Sequence, residues 1–183
     1  KTKISHKRIT IRILIDHPPD IDGTVYEEAT LAKVADHAIN VMTDKLNKGL
    51  EFAYFENTED YWHKNKTLDI YITNATEGQQ LNLDARGKDY ATNILSYPSE
   101  LPSDVLDLMD GIPLGELIIC HEVLVREANE QGKQFEDHLH HLLVHGILHL
   151  LGFDHEISDA DADEMEGFEI EILHGLGISN PYL

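Results

Sequence analysis

The feature that most narrows what this chain can be is the run His145-Gly146-Ile147-Leu148-His149-Leu150-Leu151-Gly152-Phe153-Asp154-His155. On a helix, residues four apart stack one turn above each other, so His145 and His149 can offer two imidazoles to one ion. Gly152 can take the left-handed conformation that ends a helix and turns the chain. That turn brings His155 round to complete a three-histidine face. Neutral imidazoles suit zinc, and three protein ligands leave a fourth position for water. The expectation is one Zn2+ ion per chain, held by His145, His149 and His155. A histidine pair alone at this spacing is mostly coincidence; the glycine and the third histidine turn it into a site. His141 continues the stack by one turn, but only the pair at 145 and 149 precedes Gly152 and His155 at a useful distance. His138, His140 and His141 therefore read as surface residues or as groups standing behind the ligands.

A helix that offers ligands on one face needs a core to hold the other. With 183 residues, 42% of them hydrophobic and 26% charged, the chain can build one compact domain, expected to span 1–183. No apolar run approaches the roughly 20 residues of a membrane helix. The stretch from Lys1 to Thr10 is basic but lacks the apolar segment of a signal peptide. Cys120 is the single cysteine, so an internal disulfide is impossible and a reducing, cytoplasmic setting is expected. Fourteen basic residues against 34 acidic ones give a net charge of -20. After Lys88 the only lysine or arginine residues are Arg126 and Lys133. Such a chain repels polyanions at long range, which argues against a nonspecific nucleic-acid binder and confines any RNA contact to a few local cations. Arg86 and Lys88 are the first candidates, with Lys64 and Lys66 if the fold brings them near.

Along the chain, Arg8 to Ile15 alternates polar and β-branched residues and predicts a strand ended by His17-Pro18-Pro19. Thr24 to about Leu46 carries apolar residues at helical spacing, with Gly49 as a stop. Phe52–Phe55 and Leu68–Ile72 are short strand candidates. The stretch from Asn74 to Asp110 reads as irregular, polar and turn-rich, of a length that connections seldom reach without a function. Gly115 to Cys120 predicts a buried strand. Helices are expected over His121–Asn129, Phe135–Leu151 and Ser158–Leu176, the last with Ser158 as N-cap. A few strands followed by helices describe an α+β domain: a small mixed β-sheet packed by helices, with the metal-binding helix in the later part of the sequence.

The histidine spacing is that of the metzincin pattern H-E-x-x-H-x-x-G-x-x-H, except that Gly146 stands where the protease keeps its general-base glutamate. Peptide hydrolysis by a zincin-like site is thereby demoted. The same residues, HGILHLLGFDH, resemble the signature of the YbeY-type endoribonucleases, factors of rRNA maturation. Leu81–Pro98 (LNLDARGKDYATNILSYP) is similar to that family's second block, Leu114–Ile119 (LGELII) to its Gly-acidic-Ile strand, and Asp163–Leu173 to its terminal helix. The likeness covers roughly residues 68–177. Several positions depart from the family pattern, whose usual Pro-Thr-Asp-Val-Leu-Ser-Phe-Pro is here Ala91 to Pro98 (ATNILSYP). Asn93 for a carboxylate and Glu116 for the commoner aspartate put substrate positioning in question more than metal binding.

The resemblance implies a zincin-like fold and a zinc-dependent, single-strand-specific endoribonuclease of rRNA ends that works with the small ribosomal subunit and its assembly factors. Arg86 matches the family's arginine, and its planar fork suits a phosphate and its charged transition state. Arg86 and His145 are the residues expected to carry catalysis, the latter as a ligand of the ion. Two other readings stay open: a hydrolase of another substrate such as a peptide, and a ribosome-associated protein whose metal is only structural. Asp154 reads either as an orienting partner of a ligand histidine or as a turn residue capping backbone. Thr92 and Ser96 could position substrate or satisfy their own loop. Tyr61, Trp62 and Tyr97 could stack bases or fill the core.

Overall fold

A computed structural model describes residues 8–183. Ten principal elements follow one another as β1 (Ile11–Asp16), α1 (Glu28–Asn47), β2 (Lys66–Thr73), α2 (Ala75–Arg86), β3 (Ile94–Pro98), α3 (Ser103–Leu108), β4 (Ile112–Cys120), α4 (His121–Glu130), α5 (Phe135–Leu151) and α6 (Asp159–Gly175). The four strands form one mixed sheet in the order β1-β2-β4-β3. The first three run parallel, with Ile13 beside Leu68 and Ile70 beside Leu117; β3 lies antiparallel to β4, with Leu95 opposite Ile118. The expected α+β architecture, a small mixed sheet packed by helices, is the one that forms.

Alternation in the strands sends Ile11, Ile13, Leu68, Ile70, Ile72, Leu117 and Ile119 into the core. α1 contributes Leu31, Val34, Ala35, Ala38, Ile39 and Met42 at helical spacing. α5 is buried nearly all round, packing on β3, β4, α1, α4 and α6. Its Leu139, Leu142, Leu143, Val144, Ile147, Leu148, Leu150 and Leu151 are all buried. Each fully buried aliphatic side chain contributes roughly 1.5–3 kcal/mol, so the ligand helix is fixed by its apolar faces and not by its histidines.

Two glycines set its placement. Gly146 faces the sheet: a β-carbon there would lie 2.8 Å from both Ile94 Cδ1 and Leu117 Cδ2. Gly152 ends the helix at φ 111°, with Ala53 Cβ 2.7 Å from where its own β-carbon would stand. The left-handed turn that the sequence predicts there is present.

Three expectations need correction. The stretch 74–110 is not irregular, since it contains α2, β3 and α3. α2 buries only Gly78 and Asn82, so it lacks an apolar stripe; its ends are instead marked by Asn74, whose side chain accepts from Glu77 N, and by left-handed Gly87. Phe52–Phe55 is not a strand but a turn whose two phenylalanines pack edge-on against Trp62, each at a centroid distance of 5.1 Å. Lys64 and Lys66 are not free cations. Lys64 Nζ donates to the carbonyls of Leu106, Asp107 and Met109, and Lys66 is fully buried, its ammonium donating to Trp62 O and Lys64 O. Among the described residues, no helix is long and apolar enough to cross a membrane.

Candidate metal centre and its cavity

Helix geometry and the Gly152 turn do what the spacing requires. One ring nitrogen from each of His145, His149 and His155 lies within 4.8 Å of the other two. His145 Nε2 and His149 Nε2 are 3.0 Å apart, and the ring of His155 stands 5.1 and 5.2 Å from theirs. Four-coordinate zinc with Zn–N bonds of about 2.0–2.1 Å keeps its nitrogen ligands roughly 3.3 Å apart. The His145–His149 separation is close to that spacing, His155 stands within 4.8 Å of both, and the cluster could hold one ion. His149 is pushed down to about 4 by its burial, with the nearby imidazoles of His145 and His155 adding to the effect. It is thus neutral at ordinary pH, the form that ligates.

The open side of the cluster faces a cavity of about 860 Å³. Arg86 and Lys88 line it together with the three histidines, as do Thr92, Ser96 and Tyr97. Arg86 sits in the last turn of α2, and its Nη2 meets Glu156 Oε1 and Oε2 at 3.2 and 3.0 Å. Because Glu156 follows His155 directly, this ion pair brings the guanidinium to the edge of the histidine cluster. Hydrogen bonding and charge from Arg86 hold the Glu156 carboxyl below its ordinary value.

Other residues resolve the open alternatives. Asp154 Oδ1 accepts from Glu156 N at 2.8 Å, which is the turn-capping role. Tyr61 and Trp62 are fully buried and belong to the core, whereas Tyr97 is 36% exposed and lines the cavity. Cys120 is buried, as an apolar strand end implies. Met165 is buried in α6 and forms part of the cavity wall, in a helix and not in a turn.

Sequence reasoning missed the carboxylates behind the histidines. Glu169, fully buried in α6, accepts from His145 Nδ1 at 2.6 Å and lies 3.4 Å from His141 Nε2. Burial raises its carboxyl, but the hydrogen bonds from His141 and His145 outweigh this and hold it well below the usual carboxylate range. Glu127 in α4 accepts from His138 Nε2 at 3.0 Å and from Asn93 Nδ2 at 3.1 Å. His138 and His141 are thus buried and paired, not surface residues. The available signal was a glutamate at a core-spaced position, since Met165, Glu169, Ile172 and Leu173 are the buried residues of α6.

Residues 27–177 match the family described as endoribonuclease YbeY. The chain belongs to that family. An endoribonuclease YbeY of Psychrobacter cryohalolentis is 59% identical over 146 residues, covering 79% of this chain and 94% of the relative. Its counterpart in Psychrobacter arcticus is 63% identical over 139 residues, covering 75% and 68%. One from Acinetobacter baumannii is 56% identical over 115 residues, covering 63% and 73%. A solution structure, TM1509 from Thermotoga maritima, aligns over 91% of each chain at 20% identity with a TM-score of 0.49.

Two of the departures from the family pattern, Asn93 and Glu116, sit in different surroundings. Asn93 gives its amide to the Glu127 carboxylate while its Oδ1 accepts from Ile94 N at 2.7 Å, so it is spent on the scaffold. An aspartate in its place would face Glu127 with like charge. Glu116 lies away from the cavity, in a groove with Leu14, Asp69 and Tyr71, where burial and then Asp69 raise its carboxyl.

Proposed function

We propose that this chain is a metal-dependent endoribonuclease that cleaves single-stranded rRNA during ribosome maturation. The observation that carries the reading is one cavity lined by three converging imidazoles and an arginine fork, with glycine at position 146. His145, His149 and His155 hold one zinc ion. A bound zinc would supply a Lewis acid for a phosphoryl oxygen and water of lowered pKa. Arg86 binds the scissile phosphate in the place of the Glu156 carboxylate, its two-pronged geometry matching the charge that develops on the phosphoryl oxygens. Lys88 adds a second positive charge on the same wall, and Tyr97 offers a face on which a base can stack. Family membership supports the RNA substrate, since the matched relatives carry the name endoribonuclease.

The peptide alternative loses ground on packing. A side chain at position 146 would press on the ends of the Ile94 and Leu117 side chains, and the glycine that stands there supplies no carboxylate to act as the base. With Lys64 and Lys66 engaged elsewhere, the cavity has few cations for a polyanion. The reading therefore includes a partner, the small ribosomal subunit with its assembly factors, that presents the RNA end. It also includes a cytoplasmic setting and one catalytic unit spanning 1–183. The test is cleavage of single-stranded RNA by protein of measured metal content. His149→Ala, prepared identically, should lose both the ion and the cleavage. Equal cleavage by both proteins rejects the proposal.

A further inference from the structure

A buried carboxylate without partners costs several kcal/mol, so the surroundings of Glu169 require an explanation. Its Oε1 accepts from His145 Nδ1. Its Oε2 accepts from the hydroxyl of Tyr182, which belongs to the segment that follows α6 and turns back over α5. Several contacts hold that segment in place. Asn180 Oδ1 accepts from Tyr182 N at 2.8 Å, and Lys133 Nζ donates to Pro181 O at 2.8 Å. The Tyr182 ring stands edge-on to His141 at 5.5 Å. Burial first, and then the hydrogen bond to Glu169, raise the phenol, so it stays protonated and donates.

We propose that Glu169 and Tyr182 are a positioning pair that fixes the tautomer and aim of His145 and thereby sets the metal affinity of the histidine cluster. The proposal rests on the metal reading above. An imidazole whose Nδ1–H is held by a carboxylate presents the Nε2 lone pair, and the carboxylate makes that nitrogen more basic. His145 Nε2 is the atom that faces His149. Tyr182 acts one bond further out. It satisfies the second oxygen of Glu169 and so holds the carboxylate in one orientation toward His145. A purely structural role, in which Glu169 merely ties α6 to α5, predicts lost stability with an unchanged metal site.

The experiment is a zinc competition titration against a chromophoric chelator on the full chain. It is paired with the d–d absorption of the cobalt(II)-loaded protein and the melting temperature of the metal-free form. Glu169→Gln is expected to weaken zinc binding by about 10–100-fold and to move the cobalt bands. Tyr182→Phe removes one hydroxyl from a half-exposed side chain and is expected to weaken it roughly 3–10-fold, about one hydrogen bond. Tyr182→Phe decides the matter even where Glu169→Gln fails to fold. Wild-type zinc affinity and an unchanged cobalt spectrum in Tyr182→Phe overturn the positioning pair. If His149→Ala loses zinc in that same experiment, the metal reading survives alone. A wild-type chain that binds zinc no better than His149→Ala overturns both.

Discussion

The two walls of the cavity are built on opposite principles. On the α5–α6 side the polar groups are tied to one another around fully buried Glu169, which answers both His145 and Tyr182, while buried His138 answers Glu127. On the α2 side Arg86 is 42% exposed at its side chain and pairs with the still more exposed Glu156. Buried polar networks lose much when one member is removed, because the remaining groups cannot turn to water. Exposed ion pairs are worth about 0–1 kcal/mol and exchange partners readily. The comparison assigns different work to the two walls. One holds a fixed site in one geometry, and the other keeps a cation available to an incoming anion.

The largest expected effect breaks the exposed wall without touching the buried one. Arg86→Ala should lower the turnover number for single-stranded RNA by about 10²–10³-fold, with bound zinc and melting temperature unchanged. Loss of zinc in that variant would mean that the two walls are not independent.

Acid should break the buried wall first. In metal-free protein His149 binds its proton only near pH 4, whereas an unfolded histidine does so near 6.5. The unfolded chain therefore holds more protons between these values, and stability falls as the pH drops through that window. The slope should reach at most about 1.4 kcal/mol per pH unit, some 3 kcal/mol in all, read from urea unfolding at a series of pH values. His149→Ala should flatten it.

The seam between the walls is the Asn93–Glu127 bond. Asn93→Asp should cost about 1–2 kcal/mol, a fall of roughly 2–8 °C in melting temperature. Adding Glu127→Gln should return most of it, because the amide then faces a carboxylate again. No rescue in the double variant would show that like charge is not the cause. The smallest effect should come from Glu156→Gln, which weakens the hold on Arg86. A fall of two- to five-fold in KM with little change in kcat is expected, and a rise in KM would show that Glu156 aims the guanidinium instead of competing for it.

The same contrast explains what the sequence could and could not disclose. The histidine cluster was legible because helix pitch and one left-handed glycine fix it within eleven residues, from His145 to His155. The α1, α4, α5 and α6 helices were legible from their apolar spacing. α2 was not, because its buried face is Gly78 and Asn82 and carries no apolar period; the caps Asn74 and Gly87 were the only local clue. Glu169, Tyr182 and Glu127 escaped because their pairings depend on how α4, α6 and the segment after α6 pack around α5, which no local spacing encodes. Lys66 misled for a related reason. A lysine at the start of a strand reads as solvent-exposed, yet this one points inward over the Trp62 ring at 4.1 Å.

Close contact between α5 and the sheet at Gly146 also bears on how such a chain can change over generations. For a glycine codon ending in a purine, glutamate is one base substitution away, and glutamate is the residue that the protease pattern keeps at this position. In this fold the new side chain would press on the ends of the Ile94 and Leu117 side chains, which would have to shift to admit it. A step toward the protease pattern therefore carries a packing cost in the interior, separate from any selection on substrate. Changes at the cavity rim, where exposed residues such as Glu156 and Tyr97 stand, meet no such packing cost and are weighed by what they do to the substrate.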